Sequence, residues 1–284
     1  MPDDVFKSVF LPLALIFVLF GMGMSLSVGD FKRVMLSPLA SAVGVCCQLI
    51  VLPLTAFAVA WVLGLRGETA VGLMLLAACP GGPTSNLISH LSKGDVALSV
   101  TLTAVSSVVA VFTIPWVVGL SMTHFLGSAA AIELPFWKTL IQLMIVTLLP
   151  IALGMGIRAA KPAFADRMAR PASVLSVVFL GLVILLAVLR EDNLAEQFRV
   201  AGPGAVTLNV LTMVLAFYLA KLFQLPHTQQ ITISIEAGIQ NGTLALAIAL
   251  GILGNPHIAM PAVIYSLFMF VSGSLMIWRF GLRR

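Results

Sequence analysis

The chain has 284 residues, of which 60% are hydrophobic and 10% are charged, and its mean hydropathy is +1.09. Because soluble domains carry about 25% charged residues, this composition excludes a soluble globular protein and indicates a membrane protein that crosses the bilayer many times. The net charge of +5 does not indicate a nucleic-acid partner, since the sixteen basic residues are scattered singly and are not gathered on one face.

Apolar segments that could cross a hydrocarbon core of ~30 Å as helices recur along the whole chain. We therefore predict an all-α fold that forms a single transmembrane domain over residues 1–284. The first segment follows two acidic residues and has no small-residue cleavage site, so we interpret it as a span and not as a signal peptide. The nine predicted spans are residues 5–27, 37–64, 69–91, 94–120, 134–158, 169–190, 203–222, 228–252 and 256–280.

The positions of lysine and arginine predict the orientation, because short cytoplasmic loops carry an excess of these residues. With nine spans and an outside N-terminus, eleven basic residues fall inside and five fall outside. An even number of spans would put the basic C-terminus and the basic segment 158–170 on opposite sides. We therefore expect the N-terminus outside and the C-terminus in the cytoplasm.

Two of the predicted spans are interrupted by residues that do not suit a lipid-facing helix. In the third span, Pro80, Gly81, Gly82 and Pro83 stand in succession, and the eighth span contains the sequence IEAGIQNGT at 235–243. Proline removes a backbone donor and glycine permits unusual dihedral angles, so both spans are expected to unwind near the middle of the membrane. The freed backbone groups must then find partners in protein, in water or in a bound ion.

The two interruptions occupy equivalent places in the two halves of the chain, since each is followed by a short half-helix and one further long span. This arrangement predicts inverted repeats whose broken helices cross at the bilayer midplane, where secondary transporters bind substrate and coupling ion. The first repeat covers about residues 5–120 and lacks its opening helix, while the second covers about 134–280.

Glu236 is the one acidic residue that falls deep within a predicted span. An ionised carboxylate in hydrocarbon is costly, so it must be protonated, paired or bound to a cation. Amide, hydroxyl and backbone oxygens accompany it, without a cluster of thiolates or imidazoles, and this set suits sodium better than zinc or copper. A proton would also satisfy a lone glutamate. Ser99 and Thr103 share one helical face, and Gln48 is a lone polar residue in the second span.

Two long motifs in the interrupted spans carry a resemblance to a known family. The sequences CPGGPTSNLISHLSKGDVALSVTLTAVS at 79–106 and IEAGIQNG at 235–242 resemble the bile acid:sodium symporter family of organic-anion transporters. The segments FGMGMSL at 20–26 and SGSL at 272–275 agree with it in order and spacing. The resemblance covers nearly the whole chain, and the chain is similar to the members that have nine helices.

This resemblance implies a panel domain, a core domain with the crossed helices, and two sodium sites behind the crossing. It also implies sodium-coupled import of an organic anion by alternating access in a bacterial inner membrane, without enzymatic activity. The implied ligands of the first sodium ion are Ser85, Asn86, Ser99, Thr103 and Glu236. Those of the second are Gln48, Glu236, Gln240 and the carbonyls of Ala237 and Ile239.

The implied substrate is a small carboxylate or sulfonate, because the N-termini of the half-helices present unpaired N–H groups to the crossing. We expect contacts from Asn241 and from the backbone around Thr84. Pro83 stands where a threonine is expected, and Met269 and Phe270 replace an expected polar pair. A small metabolite acid such as pantoate or a 2-oxo acid is therefore as good a candidate as a bile acid. The other expected partner is the lipid bilayer, and the oligomeric state stays open, a monomer included.

Three other interpretations remain open at this point. A proton-coupled or sodium-independent exporter of the same superfamily, including the arsenite exporters, could use Cys79 together with Glu236. An intramembrane hydrolase could use Ser85 as nucleophile and His90 as base, although a five-residue offset aligns them poorly on one helix. A passive channel would need a continuous polar lining, whereas the polar residues of this chain cluster at one depth.

Overall fold

The structure is a computed structural model that describes residues 11–127, 141–142, 144–189 and 194–282. Within these ranges the chain is almost entirely helical, as predicted, and the one β-type pairing joins Gly81 to Gln240. The helices are α1 (Leu11–Ser25), α2 (Val28–Lys32), α3 (Pro38–Val62), α4 (Gly67–Ala78), α5 (Pro83–Leu91), α6 (Val96–Leu126), α7 (Met144–Ala160), α8 (Pro162–Leu189), α9 (Leu194–Leu222), α10 (His227–Gly238), α11 (Gly242–Ile252) and α12 (Pro256–Leu282).

Four of the described helices are long and apolar enough to cross a membrane: α3, α6, α9 and α12. The pair α1 and α2, bent by 67°, would make a fifth, and α4, α7 and α11 are shorter apolar helices. Length and composition thus support a multi-pass membrane protein, while the count of nine spans stays a prediction. The start of the predicted first span and the predicted segment 134–140 lie outside the described residues.

Three helices extend beyond the spans predicted from hydropathy, because each helix is longer than its apolar part. The structure starts α8 at Pro162 instead of 169 and α9 at Leu194 instead of 203, and it extends α6 to Leu126 instead of 120. Hydropathy marks only the apolar portion of a span, whereas the backbone keeps its helical hydrogen bonds through polar residues beyond it.

Both predicted interruptions are confirmed. The helix α4 ends at Ala78 and α5 starts at Pro83, while α10 ends at Gly238 and α11 starts at Gly242. The two linkers touch at the Gly81 to Gln240 pairing, and the backbone N–H of Asn241 donates to the carbonyl of Pro80 over 2.9 Å. Backbone groups freed by unwinding in one linker therefore find partners in the other.

The helices fall into two groups by their packing. The helix α1 packs against α7 and α8, and the remaining long helices pack mainly against one another. Two glycines permit the close approach of α1 and α7: a Cβ at Gly23 would lie 2.3 Å from the carbonyl oxygen of Ile151, and one at Gly154 would lie 2.4 Å from that of Phe20. The contact is therefore made backbone to backbone.

One helix of the larger group changes its winding near a proline. The residues Cys47–Val51 form a π turn within α3, just before Pro53. Proline lacks an N–H group and therefore disturbs the hydrogen bonds of the preceding turn. The chain passes this point without breaking, and the π turn holds Gln48 in a buried position. Such turns are frequent at functional sites because they redirect a side chain.

Candidate functional site

Glu236 lies in the last turn of α10, and its side chain is fully buried. Its Oε1 accepts hydrogen bonds from Ser85 Oγ at 2.6 Å and from Ser99 Oγ at 2.5 Å. Its Oε2 accepts from Thr103 Oγ1 at 2.9 Å and from Gln48 Nε2 at 3.1 Å. Donors from α3, α5 and α6 thus surround one carboxylate.

All four of these donors are neutral, and no described lysine, arginine or histidine forms an ion pair with Glu236. A buried carboxylate without a positive partner is strongly unfavourable unless it takes up a proton or a cation. The cluster therefore lacks one positive charge.

The hydroxyl groups around Glu236 have more acceptors within reach than protons to offer. Ser85 Oγ lies 2.7 Å from the carbonyl of Gly82 in addition to its contact with Glu236. Ser99 Oγ likewise lies 2.8 Å from Asn86 Oδ1 and 3.3 Å from Ser89 Oγ. Since each hydroxyl has a single proton, it cannot donate to all of these oxygens at once. A cation at this place would satisfy the surplus oxygens.

A second group of oxygens lies around the backbone carbonyls of Glu236 and Ala237. Gln48 Nε2 donates to the carbonyl of Glu236 at 3.1 Å, and Gln240 Nε2 donates to the carbonyl of Ala237 at 2.9 Å. Both amide side chains are buried, and their Oε1 atoms have no hydrogen-bond partner in the part of the chain that the structure describes. Buried amide oxygens are normally paired, so these two indicate space for a ligand that accepts their lone pairs.

A third group of polar atoms lies at the N-termini of the half-helices. Asn241 caps α11, since its Oδ1 accepts from the N–H of Leu244 at 3.0 Å, while its buried Nδ2 has no partner. Pro83 and Thr84, which are partly buried, form the first turn of α5. The two linkers lie close together, because a Cβ at Gly82 would lie 3.6 Å from the Cα of Asn241.

Gly81 is in direct contact with the carboxylate cluster. A Cβ at this position would lie 2.6 Å from Glu236 Oε2 and 3.2 Å from Gln48 Nε2. The sequence indicated that the PGGP motif unwinds the helix, but it did not indicate that Gly81 makes room for the carboxylate. That requirement depends on the distant residue Glu236 and becomes visible only when the two linkers are brought together.

The residues expected from the sequence at the first cation site lie together in the structure: Ser85, Asn86, Ser99, Thr103 and Glu236. Gln48 and Gln240 join them through the backbone of Glu236. Sequence reasoning missed the carbonyl of Gly82 and the hydroxyl of Ser89, which are both near this group. Ser89 follows Ser85 by four residues and therefore lies on the same helical face, which is the signal that could have found it.

The arrangement does not support the hydrolase interpretation. Ser85 is fully buried and bonded to Glu236, whereas His90 is exposed at the far end of α5. A general base must lie within hydrogen-bond reach of its nucleophile, so this pair cannot act as a catalytic dyad.

Comparison with known proteins gives one consistent result. Residues 12–197 match the profile described as the Sodium Bile acid symporter family. The chain is 30% identical over 273 residues to the "Uncharacterized sodium-dependent transporter YocS" of Bacillus subtilis, covering 95% of this chain and 82% of that protein.

Two further relatives come from a plant and from human. The "Probable sodium/metabolite cotransporter BASS2, chloroplastic" of Oryza sativa is 30% identical over 269 residues, which cover 93% of this chain and 62% of that protein. "Sodium/bile acid cotransporter 4" of Homo sapiens is 31% identical over 246 residues, which cover 85% of this chain and 55% of that protein. The chain thus spans between half and two thirds of the length of these two relatives.

Proposed function

Because the chain belongs to the Sodium Bile acid symporter family, we propose that it is a sodium-coupled symporter that imports a small organic anion by alternating access. The family and its relatives are transporters and not enzymes, and the chain is a transport protein of the same kind. Beyond membership of the family, the proposal states that transport is coupled to sodium and is directed into the cell. It also states that the substrate is a small organic anion and that the protein lies in the inner membrane of a bacterium.

The observation that carries the proposal is the charge deficit at Glu236. Four neutral donors contact the buried carboxylate, and oxygens in excess surround the donors. Sodium prefers such hard oxygen ligands and supplies the missing positive charge. We assign the first ion to five residues, which are Ser85, Asn86, Ser99, Thr103 and Glu236.

The second ion is assigned to the oxygens beside the backbone of Glu236. The free Oε1 atoms of Gln48 and Gln240 are suitable ligands, because each is a buried acceptor without a donor. The carbonyls of Ala237 and Ile239 would complete the set together with Glu236. In this assignment Glu236 belongs to both sites, so binding of one ion affects the other.

The substrate is assigned to the opposite side of the crossing, at the start of α5 and α11. The unpaired Nδ2 of Asn241 and the N-terminal N–H groups near Thr84 can donate to a carboxylate or sulfonate. Pro83 supplies no N–H group, so it can only shape the wall of this site. The assignment therefore favours a substrate that carries a carboxylate or sulfonate group.

Alternating access needs two bodies that move relative to each other. We assign α1, α7 and α8 to the panel and the other long helices to the core, on the basis of their packing. The full proposal includes nine spans with the N-terminus outside and the C-terminus in the cytoplasm. Sodium and substrate are coupled if the ions stabilise the crossing in the form that binds the anion.

The proposed function is tested by uptake into proteoliposomes. We expect uptake of a labelled small acid, such as pantoate, a 2-oxo acid or a bile acid, under an inward sodium gradient and little under an equal potassium gradient. Collapse of the gradient should stop accumulation. Equal uptake in the two salts, or uptake driven by a proton gradient alone, would contradict the proposal and favour the proton-coupled alternative.

A further inference from the structure

The end of α10 is held by two side chains that belong to neither proposed sodium site nor to the substrate site. The carbonyl of Gly238 accepts hydrogen bonds from Asn209 Nδ2 at 2.8 Å and from Tyr265 Oη at 2.9 Å. Asn209 lies in α9 and Tyr265 in α12, and both are fully buried. The last carbonyls of a helix have no partner within it, so these two donors replace the bonds that α10 lost on unwinding.

The position of Gly238 makes this contact relevant to ion binding. Its carbonyl lies between those of Ala237 and Ile239, which are assigned to the second sodium ion. Because each peptide unit is planar, only the φ and ψ angles of single residues separate the three carbonyl directions. Hydrogen bonds that fix the Gly238 carbonyl therefore restrict the orientation of the carbonyls of Ala237 and Ile239.

Helix α9 also packs directly against Gly238. A Cβ at Gly238 would lie 2.1 Å from Cγ of Met213 and 2.6 Å from its Sδ. The close approach of the two helices brings Asn209 within reach of the Gly238 carbonyl.

The amide of Asn209 is not explained by packing alone. Its Oδ1 is buried and has no hydrogen-bond partner, which disfavours the folded state. Leucine has the same number and branching of side-chain heavy atoms and would leave no polar atom unpaired. The amide of Asn209 donates to the Gly238 carbonyl and also interacts with the Tyr265 hydroxyl, so its polar contacts are with the groups that meet at the end of α10.

We propose that Asn209 and Tyr265 are positioning residues for the second sodium ion, which hold the carbonyls of Ala237 and Ile239 in the orientation that binds it. They do not touch the ion themselves. The proposal rests on the proposed function and extends it to residues of α9 and α12.

The variants that test it are Tyr265→Phe and Asn209→Leu, each of which removes the donor to Gly238 and keeps the branching of the remaining side-chain heavy atoms. Sodium-driven uptake is measured over a range of sodium concentrations. Loss of a neutral hydrogen bond predicts that the half-saturating sodium concentration rises about fivefold in each variant. Maximal uptake at saturating sodium should stay near the wild-type value, because the altered groups do not contact the substrate.

The matched control is Ser234→Ala. Ser234 Oγ donates to the carbonyl of Met213 at 2.8 Å, so it also joins α10 to α9 but does not contact Gly238. This variant should melt at a lower temperature while its half-saturating sodium concentration is unchanged.

Two outcomes would overturn the proposal, and they are distinguishable. If wild-type uptake responds to sodium and Tyr265→Phe lowers only the melting temperature, the two residues are merely structural. If wild-type uptake does not respond to sodium at all, the proposed function fails and this proposal fails with it. Should Asn209→Leu not fold, Tyr265→Phe decides alone.

Discussion

At the scale of single residues, the site depends on the absence of a side chain as much as on the presence of others. Glu236 can approach Gln48 and Thr103 only because Gly81 leaves the space between the linkers free. The residue types and their places in apolar spans pointed to Glu236, Ser99, Thr103 and Gln48, whereas Ser85 and Asn86 were implied only by the resemblance. The predicted crossing of the two interrupted spans brings their linkers together, but it does not give the register that sets Gly81 against Glu236.

Substitution of Gly81 by alanine tests this contact. The new methyl group would lie 2.6 Å from Glu236 Oε2, and the carboxylate cannot move without losing its buried hydrogen bonds. We expect Gly81→Ala to destabilise the protein by about 1–3 kcal/mol, as overpacking does, and to abolish the stabilisation by sodium. Thermal melting in sodium and potassium chloride measures both effects.

The control for this substitution is Gly119→Ala in α6, where a Cβ would meet no atom within 4 Å. This variant should be as stable as the wild type or slightly more stable, since alanine favours helices more than glycine does. A Gly81→Ala protein that still gains stability from sodium would contradict the prediction that a methyl group at this position displaces the carboxylate.

At the scale of helices, the unwound ends of the two broken spans supply polar groups to the proposed sites. Proline and glycine in two apolar spans predicted both breaks, and the breaks lie where the sequence placed them. The helix bounds were less predictable, since α8 and α9 continue through polar residues that hydropathy excludes. The sequence did not predict the π turn at Cys47–Val51 either, because a proline inside a helix does not distinguish a kink from a change in winding.

Substitution of Asn241 can separate its two roles at the start of α11, which are to cap the helix and to donate to the substrate. Its Oδ1 caps α11, while its Nδ2 has no partner among the described residues. In Asn241→Asp the capping oxygen is retained, but the free donor is replaced by an acceptor. We expect this variant to keep its melting shift with sodium and to lose uptake of the anion, because the substrate would meet a carboxylate.

The variant Asn241→Ala serves as the comparison, because it lacks the cap as well as the donor. It should be less stable than the wild type by about 1 kcal/mol, the usual cost of losing an N-cap. Anion uptake by Asn241→Asp at the wild-type rate would remove this residue from the substrate site.

At the scale of the whole molecule, the orientation of the chain in the membrane is predicted from the distribution of lysine and arginine and not from any single contact. Eleven of the sixteen basic residues fall on the side that we predict to be cytoplasmic. The sequence therefore predicts the orientation directly. The grouping of α1 with α7 and α8 was not readable from composition, because it depends on backbone contact at Gly23 and Gly154.

Cysteine labelling tests the orientation. In a Cys46→Ser background, in which the remaining Cys47 and Cys79 are buried, single cysteines replace the exposed residues Lys32 or Arg66. A membrane-impermeant maleimide should label Arg66→Cys in right-side-out vesicles and Lys32→Cys in inside-out vesicles. The reverse pattern, or labelling of both from one side, would contradict the predicted topology.

The central claim is that Glu236 binds sodium, and thermal stability of the purified protein tests it most directly. Melting is measured in sodium and in potassium chloride at equal ionic strength, for the wild type, for Glu236→Gln and for the control Glu68→Gln. Glu68 is an acid outside the cluster that pairs with Asn255.

At ten times its Kd, a ligand of the folded state stabilises it by about 1.4 kcal/mol. We therefore predict that sodium raises the melting temperature of the wild type and of Glu68→Gln by a few degrees over potassium, and that Glu236→Gln shows no difference between the two salts. Equal melting of the wild type in both salts, or a sodium shift that persists in Glu236→Gln, would contradict the assignment of Glu236 as a sodium ligand.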